Sequence, residues 1–217
     1  MMTSETDAIF ANARPDRSPA ETVVRFFLLA ATGCASGFVS TWCLGNLNDG
    51  IAFRWLPGVL FGLWTVGMAW LPRGIAARRK VRRSWAWLLI LFIGIAASYA
   101  TAVVTSIWLY QWLDKPSWIS LDQFFLIAIS GFVGGGVGGT GLVSLWSLMF
   151  PSAESWPMRS MLIACAALLG VGLTTWDFEW IQDSLLFFVL WQGGMAIALA
   201  AADTYWRRTL IADPPNE

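Results

Sequence analysis

The sequence predicts an all-α integral membrane protein, a bundle of six transmembrane helices with both termini in the cytoplasm. Three observations carry this expectation. Of 217 residues, 57% are hydrophobic and only 13% charged, about half the charged share of an ordinary soluble domain. Six apolar stretches are long enough to cross a hydrocarbon layer of about 30 Å, which takes around 20 helical residues. The basic residues also divide unevenly between alternate loops. Arg14, Arg17, Arg25, Arg73, Arg78, Arg79, Lys80, Arg82, Arg83, Arg159, Arg207 and Arg208 fall on one side, and Arg54 and Lys115 on the other. Twelve against two is a strong positive-inside signal and places both ends inside.

Residues 1–21, with Pro15, Pro19 and mixed charges, read as a disordered cytosolic tail. A cleaved signal would need a basic start followed at once by a short apolar core, and that pattern is missing. The first span is Thr22–Leu44, with small residues at Gly33 and Gly37 and at Ala31 and Ala35. The second is Trp55–Leu71. A basic cytosolic loop over residues 73–83 follows, and the third span is Trp85–Leu113. The fourth is Phe124–Phe150, the fifth Met158–Trp176 and the sixth Leu185–Trp206, so the transmembrane domain covers 22–206. Residues 207–217 form a second cytosolic tail. Each span is helical because lipid offers no partner to free backbone N–H and C=O groups, and none alternates as a barrel strand does.

Most tryptophans fall at the expected headgroup levels. Trp42, Trp55, Trp108, Trp112, Trp118, Trp176 and Trp180 lie outside, and Trp70, Trp85, Trp87, Trp156 and Trp206 inside, where an amphipathic ring is at home. Trp64, Trp146 and Trp191 fall within spans instead. A ten-residue stretch, Leu60–Ala69, aligns on Phe187–Ala196 with six identities, including Phe61/Phe188, Trp64/Trp191 and Met68/Met195. The fourth span shares only Leu145-Trp146 and Met149. This suggests three hairpin repeats, a symmetry that transporters use.

The fourth span also holds seven of the chain's 20 glycines within Gly131–Gly141. Gly131, Gly135, Gly138 and Gly139 share one helical face, and Gly134, Gly138 and Gly141 another. Close helix packing is the first reading. An unwound segment lining a cavity is the second, with Gly134, Gly135, Gly136 and Thr140 beside Trp64, Trp146, Trp191 and Gln192 as candidate ligand contacts. The run lacks the Lys-Ser/Thr ending of a phosphate-binding loop. Gln192 stands out because a buried amide needs partners; an interhelical hydrogen bond is the default and a bound polar group the alternative. The hydroxyls of the spans can bond back to their own helices.

The absence of histidine removes His-based triads and haem or zinc ligation through imidazole. Cys34, Cys43 and Cys165 lack metal-ligand spacing. Neither a catalytic residue, a metal site nor a cofactor is expected. No acidic or basic residue is expected in the bilayer core, which argues against a pump. Arg78, Arg79, Lys80, Arg82 and Arg83 are candidate contacts to anionic lipid headgroups, at about 1 kcal/mol per basic residue. Glu5, Asp7, Asp16, Glu21, Glu154, Asp203, Asp213 and Glu217 leave the cytoplasmic side at +4, with −4 outside, beneath a formal net charge of zero.

Three functions follow as expectations. The first is a non-catalytic polytopic subunit, a scaffold, assembly or accessory component of a larger membrane complex. Its partners would be the bilayer with its anionic lipids and other membrane subunits, not nucleic acid. The second is a small-solute transporter, or its substrate-binding membrane subunit, for an uncharged or aromatic solute. In size and span count the chain resembles the vitamin-binding subunits of energy-coupling importers, a likeness of shape without matched motif residues. The third is a lipid, quinone or pigment binder. Short loops and compact size suggest a bacterial inner membrane.

Overall fold

The computed structural model describes residues 19–47, 50–71, 75, 84–115, 122–172 and 185–212. Within them the chain is all helical. The helices are α1 (Pro19–Leu47), α2 (Gly50–Trp70), α3 (Trp85–Leu113), α4 (Gln123–Met149), α5 (Trp156–Gly170) and α6 (Leu185–Ala212). Three segments are long and apolar enough to cross a membrane by length and composition: Pro19–Cys43, Trp85–Leu113 and Gln123–Met149. α5 and the Trp55–Trp70 part of α2 are shorter apolar helices. The helices at the two ends outrun the expected spans. α1 begins at Pro19, where a missing N–H costs nothing, and carries Glu21 in its first turn. α6 continues to Ala212 rather than stopping at Trp206.

Local chemistry sets the other boundaries. Asp122 caps α4, its side chain accepting from Phe124 N at 3.4 Å. Pro151 ends that helix: the residue before a proline is pushed out of the helical region, and Phe150 is extended at φ −125°, ψ 125°. A single 3-10 turn, Pro151–Ala153, then leads to α5. There Ser155 is extended and Pro157 occupies the first turn, where proline is tolerated.

Successive helices run antiparallel, and each packs against the next in the chain. α6 then packs against α1, closing the six into a ring. The centre is filled by side chains. Phe61 of α2 and Tyr99 of α3 both meet Trp191 of α6 edge to face, with centroids 5.8 and 6.0 Å apart. Phe188 lies 6.2 Å from Tyr99. Large apolar side chains also cover the outside of the ring, including Phe27, Phe38, Leu89, Ile93, Phe132 and Leu168. Trp42, Trp55, Trp70, Trp85, Trp108, Trp112 and Trp156 are exposed towards the helix ends. An apolar exterior over a filled centre is the reverse of a soluble bundle's one-sided helices.

The glycine run of α4 is continuous helix. The unwound reading is therefore corrected: no backbone is freed there, because neighbours on both sides hold the helix at close range. Cβ atoms on Gly134, Gly138 and Gly141 would collide with Ser106, Ala102 and Ser98 of α3. Those on Gly135 and Gly139 would collide with Ala166 of α5. The sequence placed Gly138 on both faces; it belongs to the one against α3.

Candidate functional site

The face that α2 and α6 share in sequence is the face both turn inward. Phe61 and Phe188, Trp64 and Trp191, Thr65 and Gln192, Met68 and Met195, and Ala69 and Ala196 are all buried. Their spacing of three, one, three and one residues follows one stripe of an α-helix. Phe61 stacks on Trp64 at 5.1 Å and meets Trp191, so the two expected tryptophans share one aromatic cluster. Trp64 donates its indole N–H to Thr32 Oγ1 of α1 at 2.9 Å. Thr32 in turn donates to Leu28 O at 2.7 Å.

Gln192 is 0% exposed and ties three helices together. Its Oε1 accepts from Ser36 Oγ of α1 at 2.8 Å. Its Nε2 donates to Ser40 Oγ at 3.0 Å and to the Pro57 carbonyl of α2 at 2.9 Å. Ser40 passes its own proton to Ser36 O at 2.8 Å. Both amide hydrogens and the oxygen are thus used within the chain. Pro57 lacks the N–H that would bond to the carbonyl of Phe53 in an unbroken ladder; the carbonyl that Gln192 reaches is Pro57's own. The other hydroxyls behave as expected: Thr41, Thr65, Ser98, Thr101, Ser106, Ser130 and Thr140 each donate four residues back along their own helix.

The remaining candidates sit apart. Trp146 is wholly buried near the end of α4 and stacks on Phe150 at 4.0 Å, which is its ring partner among the described residues. Gly134 and Gly135 are consumed by contacts to α3 and α5. Thr140 is exposed, and Gly136 is half-buried beside α5, with only Ala167 Cβ within 4 Å of an added Cβ. Arg78, Arg79, Lys80, Arg82 and Arg83 lie outside the described residues.

One cluster was missed. Asp203 of α6, 0% exposed, accepts from Arg25 of α1 and from Arg207 Nε at 3.0 Å. Arg25 and Arg207 are only 3% and 6% exposed. Arg25 also reaches Thr204 Oγ1 at 3.5 Å. The charges lie at the end of the ring where the sequence counts Arg25, Asp203 and Arg207 on the cytoplasmic side: one carboxylate sits between guanidiniums of the first and last helices, a pairing that makes their burial tolerable. The signal was present, since Arg25 and Asp203 both fell inside expected spans and Asp203/Arg207 are four apart on one helix. Between the cluster and Gln192, α1 and α6 approach through small residues. There a Cβ on Gly33 would collide with Ala196; beyond Gln192, one on Gly37 would lie 2.6 Å from Phe188 O.

Among the described residues no group of three or more His, Cys, Asp or Glu is placed to hold a metal ion. The chain resembles no described family at a level that would lend it a function: no family model matches, and comparison with curated proteins and with solved structures finds no match.

Proposed function

We propose that this chain is a non-catalytic, six-span membrane subunit that works by packing: a scaffold, assembly or accessory component of a larger membrane complex. The observation that carries the reading is Gln192. The most conspicuous polar group of the interior spends its hydrogen-bonding atoms on Ser36, Ser40 and Pro57, which makes it a fastener between helices. The outward apolar surface supplies area for lipid and for partner helices. In this reading the ring is three hairpins, both termini are cytoplasmic, and the membrane is a bacterial inner membrane. Arg78, Arg79, Lys80, Arg82 and Arg83 rest on anionic headgroups.

Two measurements test it. Native mass spectrometry and crosslinking in mild detergent should find the chain bound to other membrane proteins; a clean monomer at native expression levels sinks the scaffold role. Single cysteines placed near residue 10, in the 73–83 loop and near residue 215 of a Cys-free background should be shielded from an impermeant maleimide in intact cells. One introduced at Asp49 or Lys115 should be labelled.

A second reading, binding of an uncharged or aromatic solute, draws on the gathering of Trp64, Trp191, Phe61 and Tyr99 beside Gln192. Uptake that is unchanged in both Trp191→Ala and Gln192→Ala removes it.

A further inference from the structure

We propose that the turn between α4 and α5 binds the carbonyl oxygen of a membrane-soluble amphiphile, with Trp146 Nε1–H and Ser152 Oγ–H as the donors. Trp146 is 0% exposed and Ser152 4%. Neither Trp146 Nε1 nor Ser152 Oγ has a hydrogen-bond partner; among the described residues they are the two fully buried side-chain polar atoms in that condition. The contrast with the rest of the interior is sharp. Trp64, equally interior, has Thr32, and the buried hydroxyls of Ser106, Ser130 and Thr65 have carbonyls of their own helices. Buried donors without partners are destabilising and rare. Two of them fall on either side of a single break, Phe150–Pro151, where α4 stops.

The chemistry of the spot selects the ligand. Both groups offer a hydrogen, so they call for an acceptor. The wall on their own segment is apolar: Leu142, Met149, Phe150 and Ala153, like Trp146 itself, belong to the buried apolar cluster. A charged group would be desolvated there without compensation, whereas a neutral carbonyl on an apolar body matches both requirements. The 3-10 turn, lying outside any α-helical ladder, is the part of this wall that can yield to admit it. Arg159 stands at the rim and donates Nε–H to Ala153 O at 2.9 Å; it is half-buried, so a headgroup phosphate reaches it from outside. A quinone and a phospholipid ester share the carbonyl, and only the lipid brings the phosphate.

The test uses the full chain in detergent, with decylubiquinone and dioctanoylphosphatidylglycerol as probes and decane as the carbonyl-free control. Binding is read by calorimetry and by the ligand-induced rise in Tm. At least one carbonyl probe should bind and decane should not. Trp146→Phe, which keeps an aromatic ring but gives up the five-membered ring with its N–H, and Ser152→Ala should each weaken that probe roughly tenfold, the worth of one good hydrogen bond. Trp108→Phe, at an exposed ring, should change nothing. Without ligand Ser152→Ala should melt at or above the wild-type temperature, because an unmet donor has gone and little volume with it; this separates lost binding from lost folding. Arg159→Gln should weaken the lipid alone if the source is a phospholipid, and leave a bound quinone untouched if it is not. The proposal is overturned if neither probe binds the wild type, or if both site variants bind as the wild type does.

Discussion

Replacing Gln192 by leucine keeps most of the volume and removes the polar link. Ser36 would lose its acceptor and the Pro57 carbonyl its interhelical donor. The expected cost is about 1–3 kcal/mol, since the groups left behind are buried; denaturant unfolding in micelles measures it. Asp203→Ala should cost more, about 3–5 kcal/mol, because Arg25 and Arg207 would then face each other without the carboxylate between them. The double variant Arg25→Ala/Asp203→Ala should recover part of that loss, and a double-mutant cycle by thermal melting reads the coupling. At this scale the sequence was half legible. Gln192 announced itself, because a lone amide in an apolar span must find partners. Its partners Ser36, Ser40 and Pro57 did not, since they are ordinary residues on other helices and only folding brings them together. Arg25 and Asp203 went unread as a pair for the same reason.

A helix in this ring is defined by what stands on each side of it. α4 shows this best: Gly134, Gly138 and Gly141 serve α3, Gly135 and Gly139 serve α5, and Gly136 stands beside α5 with room to spare. Gly138→Leu and Gly135→Leu should therefore each prevent close approach and destabilise the fold, seen as loss of monodisperse protein in size-exclusion chromatography. Gly136→Ala should be neutral or stabilising by up to about 1 kcal/mol, because its Cβ would meet only Ala167 at 3.7 Å and alanine favours helix. Helical spacing alone divided these glycines nearly correctly. Which neighbour each face met was not readable, because a 3.6-residue period gives directions around an axis and not the identity of the helix found there. α4's end was more local in origin and so more open to reading: Pro151 stops it, one residue from the expected boundary.

The ring as a whole can be tested with one added thiol. A Cβ on Gly193 would lie 3.6 Å from Cys34 Cβ, within the separation a disulfide spans. Gly193→Cys should thus oxidise onto Cys34, and fragments cut by trypsin in the 73–83 loop should stay joined until reduced. Fragments that part without reductant would mean that α1 and α6 are not neighbours. The six helices themselves were legible because each is recorded by a run of consecutive residues, 15 in α5 and 29 in α1 and α3. Closure was not, because it depends on pairs such as Arg25 and Asp203, which are 178 residues apart.

That separation has a consequence for biosynthesis. Of the six helices, the one made first is the one whose small-residue face and arginine belong against the one made last. Until α6 emerges, Gly37 lacks the Phe188 backbone it packs against, Gly33 lacks Ala196, and Arg25 lacks the Asp203 carboxylate. The protein therefore cannot mature helix by helix in the order of its synthesis. The side of α1 that faces α6 must be sheltered until then, by lipid headgroups or by the insertion machinery. A chain cut short before Leu185 should be cleared rapidly by quality-control proteases, however well its first five helices are inserted.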